Sequence, residues 1–583
     1  MTAASAPLRS ARWFAGHDDV AVMHRVALRN VGIEIDPADP RPVIGIADSS
    51  SPVNPCNLPL RALAEEVARG VTEAGGIPLT LPVMSLGEDL MKPTAMLYRN
   101  LLSMEVEEYA RAYPLDGLVL LGNCDKSIPG ALMGAVSADL PTLVVNAGAR
   151  PAGVFRGRRV GTGTDLWRAW EDRRAGALDD AAWAAFETAL SCGPGACNTL
   201  GTASSMAIVA EVLGFVLPGT STIPAADPRR SLAAIASGRE AVAAVRAGRT
   251  PSRMLTPAAV RNAIVALNAA GGSTNVVLHL IAIAGRTGLP LPLGLFDELA
   301  RRTPVLADVE PSGGLLMQDF DAAGGVPALL HALGDLIDTE AATAAGTPWS
   351  AAVAPARRVG DELPIRQPGD AIASGGAFAV LTGTLAPRGA LVKVSAATPD
   401  LLRHRGRALV FRSYPEMIER LDDPDLEVDA STVLVLAGAG PKGAPGMPEW
   451  GVIPLPRRLA EQGVRDMVRI SDARMSGTAF GTCIVHVTPE AADGGPLGLV
   501  RTGDVIVVDL PSRRLDLDVD DAELERRRAE PQPVPAASSV HLRGWPLLYR
   551  EHVLQADAGC DFDFLVPAGP EARTPVQPEI GRS

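Results

Sequence analysis

The sequence predicts an α/β protein in two parts: an N-terminal parallel-sheet α/β domain over residues 1–374 and a smaller, β-rich, barrel-like C-terminal domain over 375–583. Three observations carry that prediction. Short apolar runs alternate with helical patterns through the first part, the signature of a parallel sheet covered by helices. From Gly375 the texture changes to short apolar strands broken by Gly and Pro, as in a closed or nearly closed β domain. With 583 residues, 47% hydrophobic and 21% charged, the chain is long and apolar enough for two cores.

In order, residues 42–47 read as a strand, 58–73 as a helix and 77–83 as a strand, each from its apolar spacing. A helix over 93–112 and strands over 117–121 and 142–145 continue the series. Ligands in such sheets bind beyond the carboxyl ends of the strands, and Cys124 lies just past one. In the second part, strands are expected over 377–381, 408–411, 433–436 and 504–508. The Ala-rich stretch 341–358 reads as a linker or peripheral segment, and the Pro- and charge-rich residues from Pro570 as a loose tail.

Composition narrows the function. A net charge of -13 with no dense Lys/Arg run argues against a nucleic-acid partner and for small molecules. The first residues lack the apolar core of a secretory signal, and no stretch reaches the ~18 apolar residues of a membrane helix. A cytoplasmic protein without a membrane partner is expected. Six cysteines are too sparse for a disulfide framework, so reduced thiols are expected, a few of them recruited to metal or catalysis.

The most informative stretch is LVLLGNCDKSIPG over 118–130, where Cys124, Asp125 and Lys126 follow an apolar strand. Thiolate favours iron-sulfur iron or zinc and carboxylate favours magnesium, so neighbours of opposite softness suggest two inorganic centres meeting one substrate. Cys56 in SPVNPCN and Cys197 in SCGPGACNTLG sit in similar Gly-, Pro- and Asn-rich loops. Their spacing matches no short ferredoxin or zinc-finger pattern. As bare residues, each is as readily a buried structural thiol as a ligand.

Longer motifs separate these readings. CDK (124–126), GACNTLGTASS (195–205), GGSTN (271–275), GAPGMPE (443–449) and SDARMSG (471–477) resemble, in order, those of the dihydroxy-acid and sugar-acid dehydratase family, over nearly the whole chain. RWF (12–14), FRGR (155–158), GTDLW (163–167) and GCDFDFL (559–565) are similar to its aldonate branch, the pentonate, hexonate or L-arabinonate-like enzymes.

The resemblance implies that Cys56, Cys124 and Cys197 ligate a 2Fe-2S cluster, leaving one iron open as a Lewis acid. It implies that Glu88, Asp125 and Glu449 bind Mg2+, with Lys126 carbamylated into an oxygen ligand. Singly, Glu88 and Glu449 would read as solvated carboxylates and Lys126 as a surface lysine. It further implies that Ser476 is the catalytic base, although a lone Ser before Gly is ordinarily a turn former. Such a base needs its pKa lowered by nearby metal charge.

The activity implied is dehydration of a sugar acid to a 2-keto-3-deoxy acid by a homodimer or homotetramer. Two alternatives stand beside it: a 2,3-dihydroxy-acid dehydratase of branched-chain amino-acid synthesis, and a non-catalytic iron-sulfur sensor or degenerate paralogue. Of the other candidates, Cys192 reads as a bystander, Cys483 as core, Cys560 as part of the C-terminal motif and His279 as a structural histidine. The GGSTN turn is expected to cap the following helix through Ser273 or Thr274. Three positions depart from the family pattern: Ser50 stands where relatives carry Trp, Pro59 where they carry His, and Glu310 where they carry Lys. These exchanges bear on cluster shielding and on substrate length or charge preference.

Overall fold

The computed structural model describes residues 8–530, 543–569 and 577–582. Four strands, β1 (Val43–Asp48), β2 (Ile77–Pro82), β3 (Gly117–Leu121) and β4 (Thr142–Val145), pair in parallel in the order β2-β1-β3-β4. Every residue of β3 and β4 is buried, which is why both are uninterrupted apolar runs rather than alternating ones. The expected strands are all present. The expected helices start slightly later, at Leu60–Glu73 and, after a 3-10 turn Ala95–Tyr98, at Arg99–Ala112.

Glycines set how closely the covering helices pack. On Leu60–Glu73 and Arg229–Ala247, a Cβ at Gly70 would lie 2.0 Å from the Ile235 carbonyl oxygen, and one at Gly238 2.2 Å from that of Val67. Buried helices Thr202–Val212, Pro257–Ala270 and Asn275–Arg286 fill the middle of the molecule. A short hairpin, β5 (Val154–Phe155) and β6 (Arg158–Arg159), precedes helix Thr164–Arg174.

The second sheet has eight strands: β7 (Ala379–Leu381), β8 (Gly389–Val392), β9 (Arg403–Phe411), β10 (Val433–Leu436), β11 (Arg469–Ser471), β12 (Cys483–Thr488), β13 (Val505–Asp509) and β14 (Arg514–Asp518). Their order is β14-β13-β9-β10-β11-β12-β8-β7, with β9 to β12 parallel and the flanking pairs antiparallel. A bridge between Thr382 and Arg514 joins the two edges, so the sheet is nearly closed into a barrel. The barrel has its own core, including Val435, Ile470, Ile484 and Ile506. The largest core runs from Leu118 and Ile264 to Phe378 and Val485, so the two sheets share packed apolar surface.

The stretch 341–358 is not peripheral. Trp349 is fully buried, and its Nε1 donates to the Val212 carbonyl at 3.4 Å, so one indole anchors the Ala-rich segment to the central helices. Of the expected tail, 570–576 and 583 lie outside the described residues. Gln577 and Pro578 accept hydrogen bonds from Arg9 and Arg12, which holds that end against the N-terminal segment.

Candidate active site

Both sheets present the carboxyl ends of parallel strands to one region, where such folds bind ligands. The loop after β1 carries Cys56, that after β2 carries Glu88, and that after β3 carries Cys124, Asp125 and Lys126. From the barrel, the loop after β10 brings Glu449 and that after β11 brings Arg474 and Ser476.

Two asparagines and a set of backbone bonds hold the cysteine loops together. Asn57 Oδ1 accepts from Asn123 N at 3.1 Å and Cys124 N at 2.8 Å, while its Nδ2 donates to Ser127 Oγ at 3.0 Å. Asn123 Nδ2 donates to the Cys56 carbonyl at 2.8 Å and the Gly148 carbonyl at 3.0 Å. The Cys197 loop joins them, since Gly195 N donates to the Pro55 carbonyl and Ala196 N to the Gly148 carbonyl. A hydrogen bond from Cys56, with burial, pushes the Cys124 thiol well above the usual range. Burial and then Cys56 push Cys197 up to about 12. Arg150 faces this group, with Nη2 at 3.8 Å from Cys56 Sγ.

Glu88, Asp125 and Glu449 all face the fully buried amine of Lys126. Nζ pairs with Asp125 and lies 3.5 Å from Glu88 Oε2 and 3.6 Å from Glu449 Oε1. Burial and Arg474 oppose the ammonium, but the three carboxylates outweigh them and hold its pKa above the ordinary lysine value. Burial and the flanking carboxylates Glu88 and Glu449 push Asp125 up to about 6 against the pull of Lys126. Among the described residues, no three Cys, His, Asp or Glu side chains form a ready-made metal cage; here the lysine amine occupies the centre of the carboxylates. Cys124 Sγ lies 3.5 Å from Asp125 Oδ1, so the thiol and carboxylate groups adjoin.

Arg474, fully buried, ties this region across the molecule. Its Nε donates to the Met447 carbonyl at 2.7 Å, its Nη1 to Glu449 Oε1 at 2.9 Å and its Nη2 to Thr94 Oγ1 at 2.9 Å. Thr94 in turn donates to Glu88 Oε1 at 2.6 Å. Asn275 Nδ2 donates to the same Glu449 oxygen at 2.8 Å. The GGSTN turn therefore does more than start a helix: Thr274 supplies no side-chain cap, Ser273 Oγ accepts Asn275 N at 3.2 Å, and Asn275 reaches into the site. The motif strings contain Arg474 and Asn275, but only the fold shows what they bind.

Ser476 is half-buried, and its Oγ pairs with Thr478 Oγ1 at 3.0 Å. Trp167 Nε1 donates to that Thr478 oxygen at 3.3 Å, which brings the GTDLW helix to the serine turn. Beside the turn is a cavity of about 350 Å³ walled by Trp167, Trp170, Tyr414, Trp450 and Phe480, with Glu449 also in its lining. Tyr414 and Trp450 are stacked at 4.8 Å between ring centroids. An aromatic wall next to carboxylates and a hydroxyl suits a small, polar, carbon-backboned ligand.

The remaining candidates are accounted for by packing. His279 is buried and its Nδ1 bonds Arg99 Nη1 at 3.1 Å, while Nε2 has no hydrogen-bond partner among the described residues; burial and then Arg99 hold the ring neutral. Cys483 lies in β12 with Arg469 Nη1 at 3.6 Å, Cys560 contacts Met447 Sδ at 3.7 Å, and Cys192 Sγ donates to the Pro151 carbonyl at 2.8 Å. Ser50 is bonded to Asp48 at the end of β1, and Pro59 immediately precedes helix Leu60–Glu73. Glu310 pairs with Arg168 Nη1 at 2.9 Å, and that guanidinium stands 5.4 Å from the centre of the Phe480 ring in the cavity wall.

The similarity of the chain to known proteins extends over most of its length. Residues 41–352 match the family model described as dihydroxy-acid/6-phosphogluconate dehydratase N-terminal, and residues 364–560 match the corresponding C-terminal model. The chain is 48% identical over 560 residues to the 6-deoxy-6-sulfo-D-gluconate dehydratase of Pseudomonas putida, covering 96% of both chains. It is 46% identical over 562 residues to the L-arabinonate dehydratase of Rhizobium leguminosarum bv. trifolii (strain WSM2304), again covering 96% of both. It is 38% identical over 545 residues to a dihydroxy-acid dehydratase of Methanothermobacter thermautotrophicus, covering 92% of this chain and 97% of that one. Two matched family models spanning both sheets, and relatives aligned almost end to end, place the chain in the dihydroxy-acid/6-phosphogluconate dehydratase family of hydro-lyases.

Proposed function

We propose that this dehydratase converts a sugar acid, an aldonate, to its 2-keto-3-deoxy acid. The carrying observation is the convergence of Glu88, Asp125 and Glu449 on Lys126 next to Cys124, with an aromatic-walled cavity that Glu449 also lines. Relatives named for sulfogluconate and L-arabinonate at 48% and 46% identity, against 38% for the dihydroxy-acid enzyme, support a sugar acid over a branched-chain precursor.

In this reading Cys56, Cys124 and Cys197 hold a 2Fe-2S cluster, and Glu88, Asp125, Glu449 and a carbamylated Lys126 hold Mg2+. The donor chemistry fits: thiols on three loops bonded to one another suit iron, and carboxylates gathered on one lysine suit a hard cation. As a free ammonium, Lys126 neutralises its neighbours; as a carbamate it would reverse sign and leave an acidic cluster for a divalent ion to balance. When bound, the two groups supply Lewis acids, one for the departing 3-hydroxyl and one for the carboxylate and 2-hydroxyl.

The chain's own residues do the rest. Ser476 takes the proton from carbon 2, loss of the 3-hydroxyl leaves an enol, and tautomerisation gives the keto acid with water as co-product. Thr478 and Trp167 orient the serine, and Arg474 and Asn275 fix Glu449. We also propose a homodimer or homotetramer, for which the exposed Val22, Met23 and Val26 on helix Asp19–Arg29 offer an apolar face and light scattering is the check.

The test is anaerobically reconstituted enzyme assayed on pentonates, hexonates, a 6-sulfohexonate and a 2,3-dihydroxy-3-methyl acid. Keto-acid formation from an aldonate, with kcat/KM at least about tenfold above that for the branched acid, is expected. Turnover of the branched acid alone overturns the substrate reading, and turnover of none overturns the enzymatic one.

A further inference from the structure

Lys393, immediately after β8, is 1% exposed, yet among the described residues no carboxylate pairs with it. Lysines are almost never fully buried unless paired. Among the described residues its Nζ has one hydrogen-bond partner, the Gly477 carbonyl at 3.4 Å, and Gly477 directly follows Ser476. No charged side chain on the barrel strands, the central helices or the 471–478 turn bears on its ionisation, and burial alone brings the amine down to about 7.

The surroundings of the turn have the same polarity. A Cβ on Gly477 would lie 2.7 Å from Thr202 N, so the turn abuts the N-terminus of helix Thr202–Val212, where unpaired N–H groups favour negative charge. A buried amine without an anion on one side and a helix N-terminus on the other leave the turn short of one negative charge. The proposed base supplies one, since Ser476 acts only as an alkoxide.

Resting on the proposed role of Ser476, we propose that Lys393 is its positioning residue and charge partner: it holds the Gly477 carbonyl and balances the negative charge that forms on the serine. The proton balance is simple. The pair of hydroxyl and ammonium gives up one proton to reach the working state, alkoxide plus ammonium. Ser476 then becomes a hydroxyl again when it takes the carbon-2 proton, and that proton leaves to solvent before the next turnover.

Lys393→Met and Lys393→Gln test this in the reconstituted enzyme, with iron and magnesium content measured alongside. Gln keeps an N–H donor for the carbonyl but no charge, so it separates support of the turn from charge. We expect kcat to fall about 100-fold in both with KM within about threefold, and the ascending limb of the kcat pH profile to move up by about one unit or more. A limb that stays in place in Lys393→Gln, or wild-type kcat in that variant, overturns the proposal even if Lys393→Met fails to fold.

A second readout needs no cofactor. The folded lysine ionises below its unfolded value of 10.5, so the unfolded state binds the proton first and wild-type stability falls as pH is lowered from about 10 towards about 7. The Tm difference between Lys393→Gln and wild type should grow over that window, and a constant difference overturns the unpaired buried amine. An active Ser476→Ala variant would sink the proposed role of Ser476, whereas an inactive Ser476→Ala with an unmoved Lys393→Gln limb sinks this inference alone.

Discussion

Arg474 shows how one side chain can hold a site assembled from distant parts of the chain. Fully buried, it joins Met447, Glu449 and Thr94, and through Thr94 it reaches Glu88. Arg474→Met would leave Glu449 facing Lys126 and Asn275 only, and removing one partner from a buried ion pair costs about 3 kcal/mol or more. We expect that loss in urea unfolding together with a fall in kcat/KM of at least about 100-fold, because Glu449 would lose its fixed orientation; near-normal values for both would remove Arg474 from the account. At Ser50 and Pro59, introducing Trp and His beside the Cys56 loop should change relative rates among aldonates, and unchanged selectivity would make those two positions neutral. The motif around residues 471–477 was readable from sequence as a string, but the partners of Arg474 lie hundreds of residues away or across a loop, and no local pattern encodes such contacts.

At the level of elements, the start of helix Ser127–Ala138 governs the site, since Lys126 is its N-cap residue and Asp125 and Cys124 immediately precede it. The helix is pressed against Arg99–Ala112 at Gly134, where a Cβ would stand 2.2 Å from the Ser103 carbonyl oxygen. Gly134→Ala should therefore destabilise by about 1–3 kcal/mol through overpacking. If the proposed magnesium site is right, the substitution should also weaken magnesium binding as the helix is pushed off its neighbour; titration calorimetry beside unfolding curves would reveal either effect missing. Helix Thr202–Val212 carries a different constraint at its other end. Glu211 is buried and accepts from Gly219 N at 2.7 Å and Ser221 N at 3.0 Å, yet burial outweighs those bonds and raises its carboxyl to about 7. Its folded pKa exceeds the unfolded value of 4.5, so its contribution is fully present below about 4.5 and is lost as pH rises through about 7. Glu211→Gln should raise Tm relative to wild type at pH 8 but not at pH 4.5, and an equal shift at both would refute the assignment. The strands of the first sheet were legible because buried parallel strands are unbroken apolar runs. The Ala-rich stretch 341–358 was misread because alanine composition does not reveal that a single indole, Trp349, is driven into the core.

On the scale of the whole molecule, the α/β sheet and the nearly closed barrel bring the carboxyl ends of their parallel strands to one place, and the residues matched to the family motifs gather there. Glu88 and Asp125 from the first sheet meet Glu449 from the second around Lys126, which sequence order alone could not foretell because 361 positions separate Glu88 from Glu449. Cys56, Cys124 and Cys197 were equally readable as core thiols until the family motifs singled them out; in the fold, Asn57, Asn123 and the 195–196 backbone bind their loops together. Lys393 had no sequence signal at all, since a lysine ending a short strand looks like any solvated one. The central claim is that Ser476, carried by the barrel, is the base for a centre whose ligands come mainly from the first sheet. The most direct measurement compares wild type and Ser476→Ala, both anaerobically reconstituted to equal iron, sulfide and magnesium content, on an aldonate deuterated at carbon 2. The account predicts keto-acid formation by wild type and a loss of at least about a thousandfold in the variant. Turnover by Ser476→Ala within about tenfold of wild type would contradict it.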